Sequence, residues 1–222
     1  MPNYIKHRLY IKADNETKEK VMNACVNRND EKPFFDFNMI IPEPSDLEIE
    51  GNYAADLCIE YYIKQRKEPN WNLTEIPFFL YNDEYETPSV LHEHDKEDAK
   101  KMWDNYRKYG YMYWFDWRLA NWGTKWKACE SEIGEDRISF ETANNDARRV
   151  LVRLSAMFPE VEFYMEYADE DKGSNCGKIT FFGGNITMLE EYQYRKDGEQ
   201  ALRYALSVWE YDYDEWKKEQ EE

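Results

Sequence analysis

Residues 137–167 read RISFETANNDARRVLVRLSAMFPEVEFYMEY, and the fold turns on how this stretch divides. Arg137–Thr142 reads as a strand. Asp146 is placed to cap a helix in which Ala147, Val150, Leu151, Leu154 and Phe158 form one apolar stripe, and Pro159 ends it. From 160 to 167 the period falls to two. Val161, Phe163, Met165 and Tyr167 alternate with Glu160, Glu162, Tyr164 and Glu166, the pattern of a strand with one buried face. The stretch is therefore a strand–helix–strand unit.

Upstream, Thr124–Glu130 reads as a strand joined to Arg137–Thr142 through Gly134. At the start of the chain, Ile5, His7, Leu9 and Ile11 fall on one face of an alternating segment, with Lys6, Arg8 and Tyr10 on the other. A helix over about 15–27 follows, capped by Asp14 or Asn15, with Thr17, Val21, Ala24 and Cys25 as its apolar stripe. The order strand, helix, strand, strand, helix, strand is that of the split βαβ, or ferredoxin-like, α+β sandwich.

Two further parts enlarge that frame within what reads as a single domain, 1–222. A mostly helical insertion is expected at 43–120. Phe35 to Pro42 leads into it and reads as extended, because Pro42 and Pro44 frame it. Inside are a helix over about 53–66 (Tyr53, Leu57, Ile59, Tyr61, Ile63) and an irregular, mobile segment 67–92 punctuated by Pro69, Pro77 and Pro88. A second helix starts near Asp95 with Ala99, Met102, Trp103, Tyr106 and Tyr109, breaks at Gly110, and gives way to the aromatic run Tyr111–Trp122. The C-terminal extension, 171–222, reads as a hairpin around Gly183-Gly184 and one last helix over about 199–220.

Of 222 residues, 42% are hydrophobic, enough to build a core without staples. The formal charge of -17 excludes a general nucleic-acid binder held by phosphate contacts and opposes binding to anionic membranes. The charge is uneven: residues 31–98 hold 5 basic and 17 acidic side chains, 99–128 hold 7 and 2, and 129–222 hold 11 and 23. Cys25, Cys58, Cys129 and Cys176 form no CxxC pair, so neither a zinc module nor a redox dithiol is indicated. With no apolar leader or spanning run, a cytoplasmic location with free thiols is expected.

The candidates for chemistry have plain alternatives. His92-Glu93-His94-Asp95 holds potential metal ligands, yet two histidines one residue apart diverge on a strand, though a loop could bring them together, and acids suit a helix start. It reads as a solvated helix start, and no metal site is assigned. His7, on the apolar face, reads as a satisfied core histidine; pairing it with Cys129 or Cys176 would need a structure to place them together. Glu162 and Glu166 share a face with Tyr164 and read as solvated carboxylates. No catalytic residue, cofactor or enzymatic activity is assigned.

Three segments resemble the Api92-like (YubB-type) proteins of phages and plasmids: Met1-Pro2-Asn3 running into Tyr4–Leu9, Phe35-Asp36-Phe37-Asn38 through Pro44, and Asn121-Trp122-Gly123-Thr124-Lys125-Trp126-Lys127-Ala128 with the strand Ile138–Ala143. They frame residues 1–170, and 183–222 fall outside the resemblance. Tyr4 and His7 depart from it, standing where the family usually has Trp and a small polar residue. The resemblance implies a ferredoxin-like fold on mobile elements and no established activity. In this chain Trp122 and Trp126 would anchor a turn, with Gly123 supplying a backbone angle other residues resist.

The expected function is a non-enzymatic acidic protein of a phage or mobile element. It would bind and inhibit a bacterial host protein with a basic surface, such as a nucleic-acid-binding defence effector (counter-defence), without contacting nucleic acid itself. The contact residues expected are Glu84, Tyr85 and Glu86 in the insertion, and Glu210, Asp212, Tyr213 and Asp214 near the end. The alternative is a nucleotide-sequestering pocket in which Arg118, Lys125 and Lys127 face phosphates beside Trp122 and Trp126.

Overall fold

The computed structural model describes residues 2–64, 79–82, 87–90 and 92–221. In chain order these hold β1 (Tyr4–Lys12), α1 (Asn15–Cys25), β2 (Val26–Asn27), β3 (Phe34–Phe35), α2 (Phe37–Ile40), α3 (Tyr53–Lys64), β4 (Phe79–Asn82), β5 (Thr87–Val90), α4 (Glu93–Tyr109), α5 (Trp114–Asn121), β6 (Cys129–Ile133), β7 (Arg137–Ala143), α6 (Arg148–Met157), β8 (Glu162–Asp169), β9 (Cys176–Phe182), β10 (Asn185–Tyr192), α7 (Tyr194–Asp197), α8 (Glu199–Val208) and α9 (Tyr213–Glu221). Two compact units result: Met1–Pro42 with Arg118–Glu222, and Glu43–Trp117.

The first unit is built on an antiparallel sheet of order β10-β9-β8-β1-β7-β6. Its four strands β8-β1-β7-β6 have the 4-1-3-2 order of the ferredoxin-like sandwich, and β9 and β10 lengthen the sheet beyond β8. The alternation in β1 sets its register. Ile5, His7, Leu9 and Ile11 are buried, and His7 lies opposite Phe140 of β7 and Tyr167 of β8. On that face Phe35, Phe37, Phe140 and Trp122 meet ring against ring, with centroids 4.8–6.1 Å apart.

Four local readings are corrected. Phe35–Pro42 is not extended throughout: Asp36 accepts the Asn38 N–H at 2.9 Å and starts α2. The strand expected at 124–130 begins at Cys129, because Thr124 Oγ donates to the Trp126 carbonyl at 2.6 Å and closes a turn first. The segment 67–92 is not irregular where it is described, since β4 and β5 pair antiparallel. Nor is the last helix continuous: it breaks between Val208 and Tyr213, with Glu210 at φ 64.

The outer face of the sheet is not open either. Lys6 lies opposite Ala168, and Ala168 opposite Cys176, so these three share the face that alternates with His7. Ala168 and Cys176 pack against Ala201, Ala205 and Val208 of α8. Glu166 on this face is not simply solvated: it pairs with Arg8 at 2.9 Å, both side chains being less than a fifth exposed.

The second unit has its own small core. Ala55, Cys58 and Ile59 of α3 meet Ala99 and Met102 of α4, with Trp103, Met112 and Tyr113 packed around them. Gly110 ends α4 at φ 79, in the left-handed region that glycine enters without strain. His92 and His94 belong to the start of α4. The Asp95 carboxylate accepts the His92 backbone N–H at 2.7 Å and lies 3.2 Å from His94 Nε2.

Candidate functional site

The break after α8 builds the most distinctive surface of the first unit. Small residues at Ala201 and Ala205 let α8 approach the sheet, and Tyr204 Oη donates to the Gly177 carbonyl at 2.6 Å. Trp209 then fastens the helix end, its indole N–H shared between the carbonyls of Ala168 at 3.0 Å and Asp169 at 3.1 Å. Glu210 turns the chain and meets Arg137 at 2.7 Å. Asp212 restarts the helix by accepting the N–H groups of Asp214 at 2.9 Å and Glu215 at 3.0 Å.

Between α9 and the turn at Glu170–Lys172 lies a groove of about 400 Å³. Tyr211 and Trp216 give it ring surface, and among the described residues its lining holds the carboxylates of Glu170, Asp212, Glu215 and Glu219 and the cation of Lys172. The Lys172 ammonium sits 4.0 Å from the Trp209 ring centroid and 5.3 Å from that of Tyr211. Burial lowers its pKa, while Glu170, Asp169 and Glu141 act the other way.

A second polar cluster lies on the opposite face. His7 is wholly buried and stacked on Phe140, centroids 4.6 Å apart and planes within 3°. Its Nε2 accepts the Ala147 N–H at 3.4 Å at the start of α6, and Nδ1 has no hydrogen-bond partner among the described residues. It is thus a core histidine satisfied at one nitrogen only. Burial pulls its pKa down to about 4, so the ring is neutral at pH 7. Beside it Arg148 grips Asp146 at 2.7–2.9 Å and reaches Glu191 at 3.2 Å, and Tyr167 Oη donates to the same Glu191 carboxylate at 3.1 Å. The clefts next to this cluster, of about 590 and 550 Å³, share Asn175. Both acids are held by an arginine, which leaves no carboxylate of this cluster poised as a base.

The cysteines are not activated nucleophiles. Burial pushes the thiols of Cys25 up to about 12 and of Cys58 and Cys176 up to about 11, and raises Cys129 as well. Cys176 lies under α8, its Sγ 3.8 Å from the Ala201 carbonyl, on the face away from His7. Among the described residues, no three His, Cys, Asp or Glu side chains converge as metal ligands, and no helix is long and apolar enough to cross a membrane.

The residues expected from sequence fall in different places. Glu84, Tyr85 and Glu86 lie outside the described residues. Of the C-terminal four, Asp212 alone lines the groove. Glu210 pairs with Arg137, Tyr213 lies 3.6 Å under the Arg203 guanidinium, and Asp214 is exposed. Trp122 offers no ring to a ligand: it is fully buried, its indole N–H donating to the Ile41 carbonyl at 2.9 Å, with Arg118 5.2 Å above it. Lys125 lies over Trp126 at 4.9 Å and Lys127 over Phe34 at 5.4 Å, so the two lysines face different rings. Gly123 at φ 84 has the backbone angle its position in this turn demands. Sequence reasoning missed Glu170, Lys172, Tyr211, Glu215, Trp216 and Glu219. The available signal was the density of acids flanking Tyr211 and Trp216.

Residues 121–219 match the family model described as "Ferredoxin-like domain in Api92-like protein". The match runs through β10, α8 and α9, so the C-terminal residues expected to fall outside the resemblance lie inside it up to 219. No curated protein matches the sequence. Among solved structures, the crystal structure of a protein api92 from Yersinia pseudotuberculosis is similar at 10% identity and a TM-score of 0.39, over 86% of this chain and 98% of that one. Through its residues 121–219, then, this chain resembles the Api92-like proteins, and that stretch matches the model of their ferredoxin-like domain.

Proposed function

We propose that this is a non-enzymatic interaction protein that holds a basic surface of a bacterial host protein in the groove between α9 and the Glu170–Lys172 turn. The observation that carries this reading is the groove itself, where, among the described residues, four carboxylates surround ring surface and Lys172 is the cation that answers them. Such a surface steers a positively charged partner and repels a phosphate backbone. A host protein whose own ligand is nucleic acid presents the matching surface. Inhibition of such an effector on behalf of a phage or plasmid is the role that fits this chemistry and the family resemblance together.

A tagged pull-down from nuclease-treated host lysate tests the reading. One protein in fixed proportion is expected, and it should be lost when Glu215 and Glu219 are both changed to lysine. Equal recovery by the two proteins would refute the assignment to this groove.

A further inference from the structure

We propose that the groove receives a single lysine or arginine side chain of the partner, and that Lys172 is the internal stand-in that this side chain displaces. The inference rests on the reading above and adds the chemistry recognised and the competitor built into the chain.

The seat of Lys172 is unusual for a lysine in so acidic a setting. Its ammonium lies over two ring faces, Trp209 at 4.0 Å and Tyr211 at 5.3 Å, and the one hydrogen bond it makes among the described residues is to a neutral acceptor, the Glu170 carbonyl at 3.2 Å. Among the described residues no carboxylate forms an ion pair with it. The ring faces attract a cation through their quadrupoles, and more strongly once the cation is desolvated. Trp209 is a fixed platform, because its N–H is already held by the Ala168 and Asp169 carbonyls. A rigid receptor loses little freedom when it binds.

Lys172 itself is replaceable. Its four-carbon stem is flexible, and its head regains full hydration on swinging out of the turn. An incoming guanidinium or ammonium would take the Tyr211 face and the Trp209 face, over which Lys6 also lies at 5.8 Å, and reach the carboxylates of Glu215 and Glu219, which no cation pairs among the described residues. Lys172 therefore sets a threshold: it keeps the rings covered in the free protein and yields to a basic side chain presented by a docked surface.

The test uses the full chain and a fluorescein-labelled peptide of alternating glycine and lysine, read by anisotropy at physiological salt. Lys172→Met keeps the stem and removes the competitor, so affinity should rise by about tenfold, the size of a desolvated cation–ring contact. Lys20→Met on α1 removes the same charge from the first unit and controls for net charge; less than about twofold is expected, as for a solvated charge that lines no part of the groove. The same peptide with acetylated lysines should bind none of the proteins. No gain for Lys172→Met, an equal gain for both variants, or no binding by any of them overturns the proposal. If Lys172→Met shows no gain while the Glu215→Lys/Glu219→Lys protein still loses its host partner, this inference falls and the interaction reading stands.

Discussion

His7 makes acidification a quantitative probe of the core. Its ring is wholly buried against Phe140, and that burial lowers its pKa from 6.5 to about 4, with Asp146 acting the other way. The unfolded chain therefore binds a proton at this residue before the folded chain does. The stability that neutral His7 permits is complete above pH 6.5 and is lost progressively as the pH falls towards 4. Between pH 7 and pH 5 this one group should cost about 2 kcal/mol of folding free energy. His7→Phe keeps the ring stack and removes the titration. It leaves the Ala147 N–H without its acceptor, an offset of about 1 kcal/mol that does not vary with pH. Urea unfolding of both proteins at intervals across this range separates the two effects. The variant should lose about 2 kcal/mol less than the wild type on acidification. Parallel losses would refute the assignment of a buried, neutral His7.

Two further substitutions test the packing. Trp122→Ala should cost about 3–5 kcal/mol in chemical denaturation, since it removes the largest fully buried side chain among the described residues and strands the Ile41 carbonyl. Gly177→Ala should cost about 2 kcal/mol or more and lower the melting temperature, because the added methyl would overlap the Glu190 carbonyl across the β9–β10 pair.

What was legible in the sequence is what local pattern alone decides. The alternation of Ile5, His7, Leu9 and Ile11 placed β1 on its buried face, and the stripe from Ala147 to Leu154 placed α6. Gly110 and Asp14 marked helix ends that the structure has: the left-handed angle at Gly110, and the Thr17 N–H bonded to Asp14 at 2.8 Å. Pattern failed where a contact between distant parts of the chain overrules it. The spacing of Ala201, Tyr204, Ala205, Val208, Trp209, Tyr213 and Trp216 continues as one helix, yet the bonds from the Trp209 indole to β8 and the capping of α9 by Asp212 divide it. The groove was illegible for the same reason. Glu170 and the residues from 211 to 219 are far apart in sequence and meet because the end of α8 is tied to the end of β8. Likewise the two prolines at 42 and 44 suggested an extended segment, but Asp36 supplies a cap that turns Phe37–Ile40 into a helical turn and seats Phe37 against Trp122.

The assignment of function to the acidic groove is tested most directly by the affinity of the captured host protein for wild-type chain and for the Glu215→Lys/Glu219→Lys variant, measured by calorimetry at physiological salt. A loss of at least about tenfold is expected, with both proteins showing the same unfolding midpoint. Unchanged affinity would contradict the account and move the interaction to another surface.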